Sequence, residues 1–499
     1  MNIKFFKKNL VFSLLSMIIQ FIQSLWVTSF IQRMMGIEAY GYIAVIVNII
    51  NMAGIITVAL TSVCSRYIVI ELEKRDYDRI QKIFNTIYFA LIFLSCVCVV
   101  VFLIILINLD RLINISTQFA GQVSVLMIIV GADFIIQLLQ VLYLSVLYYE
   151  EKLYYSYYVS IISNIAKVLI VVIIFHFWRP VVWGAYVGAV VVNGVALIIY
   201  KSYFRKHYPN IKKNPRYFDF TKLKEVLGTG GWVSLSKLAA TLLSSCSTYL
   251  VNILIGVYMA GIYGSIAQVQ SILSFITIAI VNVFLPQMYK IYATSNRVDL
   301  VNCTTENLKS LSIVLGIVVG GLIVFGDEFM CIWISKEYLK YNILLILSVF
   351  YLAFVYSSEM LNQLLITVNK TKIPAFISII AGIINILVAI FLVRVIDMGF
   401  YGIAIAQMLT LCIRSGIFLP IYTSCCLEQK WYIFLRKQFW CIESMIITMG
   451  IGYFFDYWIL VNSWMKLLGV SICTGGLTIS LLIICDREWR LIVKKMINK

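Results

Sequence analysis

Long unbroken apolar runs alternate with short polar segments along nearly the whole chain. Fourteen runs are long enough to cross a bilayer as helices: 10–32, 41–65, 84–107, 122–148, 154–177, 181–200, 227–255, 262–285, 310–327, 342–367, 374–394, 400–424, 439–461 and 467–485. About 20 mostly apolar residues suffice for one crossing, and none of the runs alternates as a barrel strand would. The six prolines, Pro180, Pro209, Pro215, Pro286, Pro374 and Pro420, all fall in predicted loops or at predicted helix ends, where a missing N–H costs least. The first run follows Lys4, Lys7 and Lys8 as a signal peptide would. It is roughly twice the usual apolar length and lacks a small-residue cleavage site, so it reads as an uncleaved membrane helix. The predicted fold is therefore all-α and polytopic.

Composition agrees. Of 499 residues, 62% are apolar and 13% charged, against roughly 25% charged in a soluble globular chain. So few charges cannot clothe a water-soluble shell, which excludes a cytosolic enzyme, a secreted disulfide scaffold and a DNA-binding protein. The twelve cysteines sit largely within apolar runs without CxxC spacing, and His176 and His207 belong to no ligand motif, so no metal site is expected. The net charge of +17 is explained by side preference. With the N-terminus inside, 30 of the 40 Lys and Arg fall in cytoplasmic segments, 7 fall outside and 3 lie within spans. The bias predicts cytoplasmic termini and attraction to anionic lipid headgroups. No nucleic-acid signature accompanies it.

The halves of the chain resemble each other. A shift of 221 residues places Ser13 on Ser234, Ser16 on Lys237, Gln20 on Thr241 and Ser24 on Ser245; a shift of 218 places Lys152 on Lys370, Ser160 on Ser378 and Gly184 on Gly402. The turn Gly36-Ile37-Glu38-Ala39-Tyr40-Gly41 has a counterpart running from Gly256 to Gly264. This repeat predicts two six-helix lobes related by a pseudo-twofold axis along the membrane normal, with substrate handled between them. The expected organisation is a lobe over 1–200, a basic cytoplasmic linker over 201–226, a second lobe over 227–424, and two further helices with a basic tail over 425–499.

Polar residues inside the spans carry the functional signal. Tyr157, Ser160, Asn164 and Lys167 share one helix face, as do Ser234, Lys237, Thr241 and Ser244; Gln20 belongs to a similar stripe near the start of the chain, and Gln407 and Arg414 to one near 407–414. Serine and threonine alone are equally explained as glue between helices, but intramembrane cations are costly and mark pathways or packed partners. Lys167, Lys237 and Arg414, with Arg33 and Arg66 near helix ends, are the candidate anion-binding set, lined by Asn164, Gln20, Thr241 and Gln407. Phosphate is the matching anion, gripped bidentately by arginine or met by lysine as a point charge. Arg33 has a second reading as an interface anchor. Asp133, grouped with Gln137 and Gln140, and Glu359, grouped with Asn362 and Gln363, have three: neutralising the cations, coupling transport to an ion, or packing.

No Walker A sequence and no long external loop with clustered carboxylates is present, so neither direct ATP drive nor an enzyme is expected. Transport remains. The span count, the exit Arg33-Met34-Met35-Gly36-Ile37-Glu38-Ala39-Tyr40-Gly41, similar to an LGxxxYG pattern with Met35 in place of leucine, and the basic segment Ser65-Arg66-Tyr67 through Arg79-Ile80 resemble the Wzx-type polysaccharide flippases of the multidrug/oligosaccharidyl-lipid/polysaccharide exporter superfamily. The resemblance implies a bacterial plasma (inner) membrane flippase without cofactor. It would move an undecaprenyl-diphosphate-linked repeat unit between leaflets by alternating access for O-antigen, lipopolysaccharide or capsule, alongside membrane lipid and polysaccharide polymerase and chain-length regulator proteins. The rivals are a multidrug exporter or lipid II flippase of the same superfamily and, from another class, a membrane polymerase or glycosyltransferase.

Overall fold

The computed structural model describes residues 3–54, 57, 64, 67–68, 72, 77–150, 152–224, 246–294, 297–368, 370–486 and 489–490. Among them the regular structure is helical without strands, as lipid requires of an open chain, since only a helix satisfies every backbone polar group within one segment. The helices used below are α1 (Ile3–Ala53), α2 (Tyr77–Ile107), α3 (Ala120–Tyr149), α4 (Leu153–Phe177), α5 (Gly184–His207), α6 (Val257–Thr294), α7 (Arg297–Trp333), α8 (Lys336–Thr367), α9 (Lys372–Arg394), α10 (Gly399–Cys426), α11 (Trp440–Trp458) and α12 (Trp464–Cys485). Eleven described helices are long and apolar enough to cross a membrane. The predicted crossing 10–32 and the first part of 41–65 share α1, which breaks at Gly36 (φ 87°, ψ 170°), a conformation that glycine tolerates and side chains do not; most of 55–65 lies outside the described residues. The predicted span 439–461 is the helix α11, made less apolar by Glu443 and Asp456. Most of the predicted span 227–255 lies outside the described residues.

The chain forms two compact units, Met1–Gly264 and Ser265–Lys499. In the first, the helices alternate in direction. At one end, Asn9 near the start of α1 accepts from the Tyr154 amide of α4 (2.7 Å), and Glu150 after α3 accepts from Tyr203 near the end of α5 (2.6 Å). At the other, the Tyr42 hydroxyl meets Ser116 and Glu38, and Asn114 donates to the Asn252 carbonyl (2.7 Å). Aromatic packing fills the core between α2, α3 and α5, with Phe84 stacked on Phe204 at 4.7 Å and Tyr143 edge-on to Phe204.

The glycine motifs matched in sequence meet each other. A Cβ on Gly41 would stand 2.3 Å from the Val257 carbonyl oxygen, and one on Gly261 would stand 2.3 Å from that of Ile37. The contact is reciprocal, and Gly256 has positive φ (137°) as its counterpart Gly36 does. Only bare backbone allows so close an approach, the use to which small residues are put where helices pack in membranes.

In the second unit the same device holds α11 to α7. Gly316 and Gly320, spaced as GxxxG, lie so close to α11 that Cβ atoms there would stand 2.3 Å from the Cys441 carbonyl oxygen and 2.8 Å from that of Met445. Beside this seam the buried ammonium of Lys309 bonds Asp486, just past α12, and lies 4.0 Å from the Trp440 ring centroid. A charge so enclosed needs both partners.

Candidate functional site

Each unit has polar side chains gathered around a cation that the sequence singled out on its membrane helices. In the first unit, Asp133 of α3 is buried (6% exposed). Gln137, one turn along, donates to one carboxylate oxygen at 2.7 Å, and Asn193 of α5 donates to the other at 2.7 Å. Gln140 extends the network by donating to the Asn193 carbonyl at 2.7 Å. Lys167 projects from α4, where α5 comes close: a Cβ on Gly188 would stand 3.1 Å from the Lys167 carbonyl oxygen. Its ammonium is within the field of Asp133, and among the described residues it makes neither a hydrogen bond nor an ion pair. Asn164, one turn before it, is buried, and its amide nitrogen has no partner among the described residues.

In the second unit, Arg414 lies in a π-helical turn, Cys412–Phe418, inside α10. Pro420 explains the wide turn: it cannot donate to the carbonyl four residues back, and its ring crowds that oxygen. The guanidinium donates through Nε to Ser378 of α9 at 2.6 Å and through a terminal nitrogen to Ser415 at 3.2 Å. Glu359 of α8 supplies the opposing charge. Its oxygens accept from Asn362 at 3.0 Å and Gln363 at 2.8 Å, both on its own helix.

Both clusters thus pair a cation with a carboxylate through space rather than in contact. A carboxylate occupied by amides lowers the cost of keeping a nearby cation in the membrane, yet leaves its N–H groups unsaturated. Such a cation keeps its attraction for a further anion.

The remaining candidates are placed as follows. Gln20 is exposed on α1, Arg33 is exposed three residues before the Gly36 break, and Gln407 is buried in α10. Ser16 of the same α1 stripe donates to Ser160 of α4 at 3.1 Å, so part of that stripe joins helices. Arg66, Lys237 and Thr241 lie outside the described residues. Sequence reasoning did not find Asn193, whose carboxylate partner is 60 positions away, or Gln438. Gln438 is buried (1% exposed), and its amide nitrogen reaches the carbonyls of Phe354 (2.8 Å) and Ser415 (3.2 Å) and the Ser357 hydroxyl (3.1 Å). It fixes the backbone beside Arg414 from a segment between spans, where pattern gives no signal.

Residues 6–292 match the family model described as "Polysaccharide biosynthesis protein". The chain belongs to this family. It is similar along 99% of its length to the membrane protein EpsK of Bacillus subtilis (strain 168), 23% identical and covered over 97%, and along 84% to a putative O-antigen transporter of Shigella flexneri, 22% identical and covered over 98%. In fold it is similar to the lipid II flippase MurJ in an inward closed conformation, with TM-score 0.69, 14% identity and coverage of 95% of this chain and 98% of that one. An inward-facing multidrug resistance MATE family transporter of the MOP superfamily gives TM-score 0.68 at 13% identity, covering 83% and 94%. The all-helical exporter fold expected from the sequence is the one present.

Proposed function

We propose that this member of the polysaccharide biosynthesis family is a flippase. It moves an undecaprenyl-diphosphate-linked oligosaccharide repeat unit from the cytoplasmic to the outer leaflet of the bacterial plasma membrane, with both termini cytoplasmic. The observation that carries the reading is the pair of intramembrane cations, Lys167 and Arg414, each held near a carboxylate that it does not touch. A diphosphate offers the charge that such cations attract, and a glycan suits amide and hydroxyl neighbours such as Asn164 and Ser378. Flipping needs no bond to be made or broken, so the protein acts without enzymatic chemistry or a cofactor. It exposes its cations to one leaflet and then to the other. The family description and the Shigella relative's name support a polysaccharide cargo.

The test reconstitutes the full chain in proteoliposomes with a fluorescent undecaprenyl-diphosphate oligosaccharide and compares wild type with Lys167→Ala, Lys237→Ala and Arg414→Ala at matched protein levels. Loss of leaflet exchange in the variants is the expected result. Export of a cationic dye in place of lipid exchange would favour a multidrug exporter, exchange of lipid II alone would favour a peptidoglycan flippase, and exchange that survives all three substitutions would overturn the assignment of the cations.

A further inference from the structure

Between α5 and the second half of the chain, residues 208–224 lie as a strap across the first unit, held by side chains of α2. Gln81 pairs with both backbone groups of Lys212, accepting from its N–H at 3.0 Å and donating to its carbonyl. Asn85 donates to the same carbonyl at 2.9 Å and accepts from the Asn214 amide at 2.8 Å. Thr86 accepts from the Asp219 amide at 3.0 Å. All three α2 residues are buried, so their polar atoms are committed to the strap: an unmade bond to a buried amide costs its full desolvation. Lys213 completes the attachment, donating to the Tyr143 hydroxyl at 2.9 Å and lying 4.1 Å from the Tyr88 ring centroid.

The clamp fixes which side chains turn outward. Ile211 and Leu223 pack on the aromatic core of the unit. Tyr217, Phe218 and Phe220 do not, and Phe220 is 71% exposed. Arg216, Lys222 and Lys224 are exposed among them. The strap's acidic residue, Asp219, has one carboxylate oxygen taken by the amides of Thr221 (2.9 Å) and Lys222 (3.3 Å). Water gives no reason for a fixed segment to display three aromatic rings among three cations. The headgroup layer gives one, since aromatic rings settle at the membrane interface and basic side chains are drawn to anionic lipid. That layer is adjacent, because the strap begins one residue after α5, a candidate membrane span.

We infer that the strap is a lipid-binding anchor: its outward face, Arg216, Tyr217, Phe218, Phe220, Lys222 and Lys224, seats in the headgroup layer of anionic phospholipid. The anchor is separate from the intramembrane cations and stands whether or not the flippase reading holds. Because buried amides clamp the strap to the first unit, anionic lipid bound there steadies that unit at the membrane surface.

The test places a fluorescent coumarin amino acid at position 220 of the full chain in neutral detergent and titrates phosphatidylglycerol or phosphatidylcholine. The probe is expected to respond to phosphatidylglycerol at far lower concentration. Arg216→Gln raises the half-saturating concentration about fivefold, and the triple variant Arg216→Gln/Lys222→Gln/Lys224→Gln by about a hundredfold, at roughly a fivefold factor per charge. These surface substitutions leave the clamp intact, and an unchanged melting temperature without lipid verifies it. A probe that responds equally to both lipids, or a triple variant that titrates like wild type, overturns the inference. So does displacement of the lipid response by soluble pyrophosphate at low concentration, which would make the strap a site for free phosphates.

Discussion

Asp133 and Glu359, the carboxylates beside Lys167 and Arg414, solve the same problem differently. Asp133 is buried and held by donors on two helices, Gln137 on its own and Asn193 on α5. Glu359 is partly exposed and satisfied by Asn362 and Gln363, both within its own turn. The cations reverse the pattern. Lys167 makes no hydrogen bond among the described residues, while Arg414 is tied to Ser378 on the neighbouring helix. In the first unit, therefore, the anion is fixed and the cation adjustable; in the second, the cation is fixed and the anion adjustable. A carboxylate shared between helices is part of the packing, whereas one capped by its own turn can change partners without moving a helix.

The sharpest way to break this comparison is to remove each carboxylate. Asp133→Ala removes the carboxylate through which α3 meets Asn193 of α5 and should destabilise the protein by about 1.5–3 kcal/mol, the worth of a hydrogen bond to a charged group. Glu359→Ala breaks only bonds made within one helix, joins no second helix, and should cost less than about 1 kcal/mol. Thermal unfolding of both variants in the same detergent decides it, and equal losses would erase the distinction.

The cations come next, read by lipid exchange rather than stability. Arg414→Lys keeps the charge but cannot reproduce the fork that meets Ser378 and Ser415, and a lost charge-assisted bond of about 1.5–3 kcal/mol predicts a tenfold or greater fall in exchange. Lys167→Arg keeps an adjustable cation and should retain most activity. Equal sensitivity at both positions would show that fixing the cation is not what separates the units.

How much of this was legible in the sequence follows from the range of each interaction. Runs of apolar residues are local, and they placed the helices; the break at Gly36 fell between two predicted spans because a glycine turn is a local signal too. Residues sharing a helix face were also readable, and Gln137 and Gln363 bond the carboxylates beside which they were grouped. Asn193 and Gln438 were not, since their partners come from other elements and only the fold brings them together. The π turn at Arg414 was hidden for a different reason. Pro420 was read as a mark of the helix end, when its missing N–H widens the turn before it.

Glycine seams extend the comparison with a smaller effect. Gly41→Val in the first unit and Gly316→Val in the second each drive a side chain into a backbone carbonyl and should cost about 1–3 kcal/mol. Gly321→Ala meets open space beside the second seam and should be neutral or stabilising by up to about 1 kcal/mol. Thermal unfolding of the three variants tests whether both units rely on bare backbone to the same degree.

Glu150 offers the smallest effect and the cleanest control, because it is held across elements as Asp133 is, but outside the membrane spans. Lys152 donates to it at 2.8 Å, Tyr203 at 2.6 Å and Tyr208 at 3.2 Å. Burial alone would raise its pKa, yet the bonds from Lys152 and Tyr203 outweigh burial and hold it below the usual value near 4.5. A carboxyl group with a depressed folded pKa stabilises above its unfolded value, and that contribution disappears as pH falls through the folded one. Wild type should therefore lose melting temperature between pH 5 and 3 relative to Glu150→Gln, by an amount equivalent to less than about 1 kcal/mol because water screens the site. If Asp133→Asn and Glu150→Gln prove equally mild at neutral pH, then cross-element attachment alone does not make a carboxylate structural, and it is the absence of water around Asp133 that sets it apart.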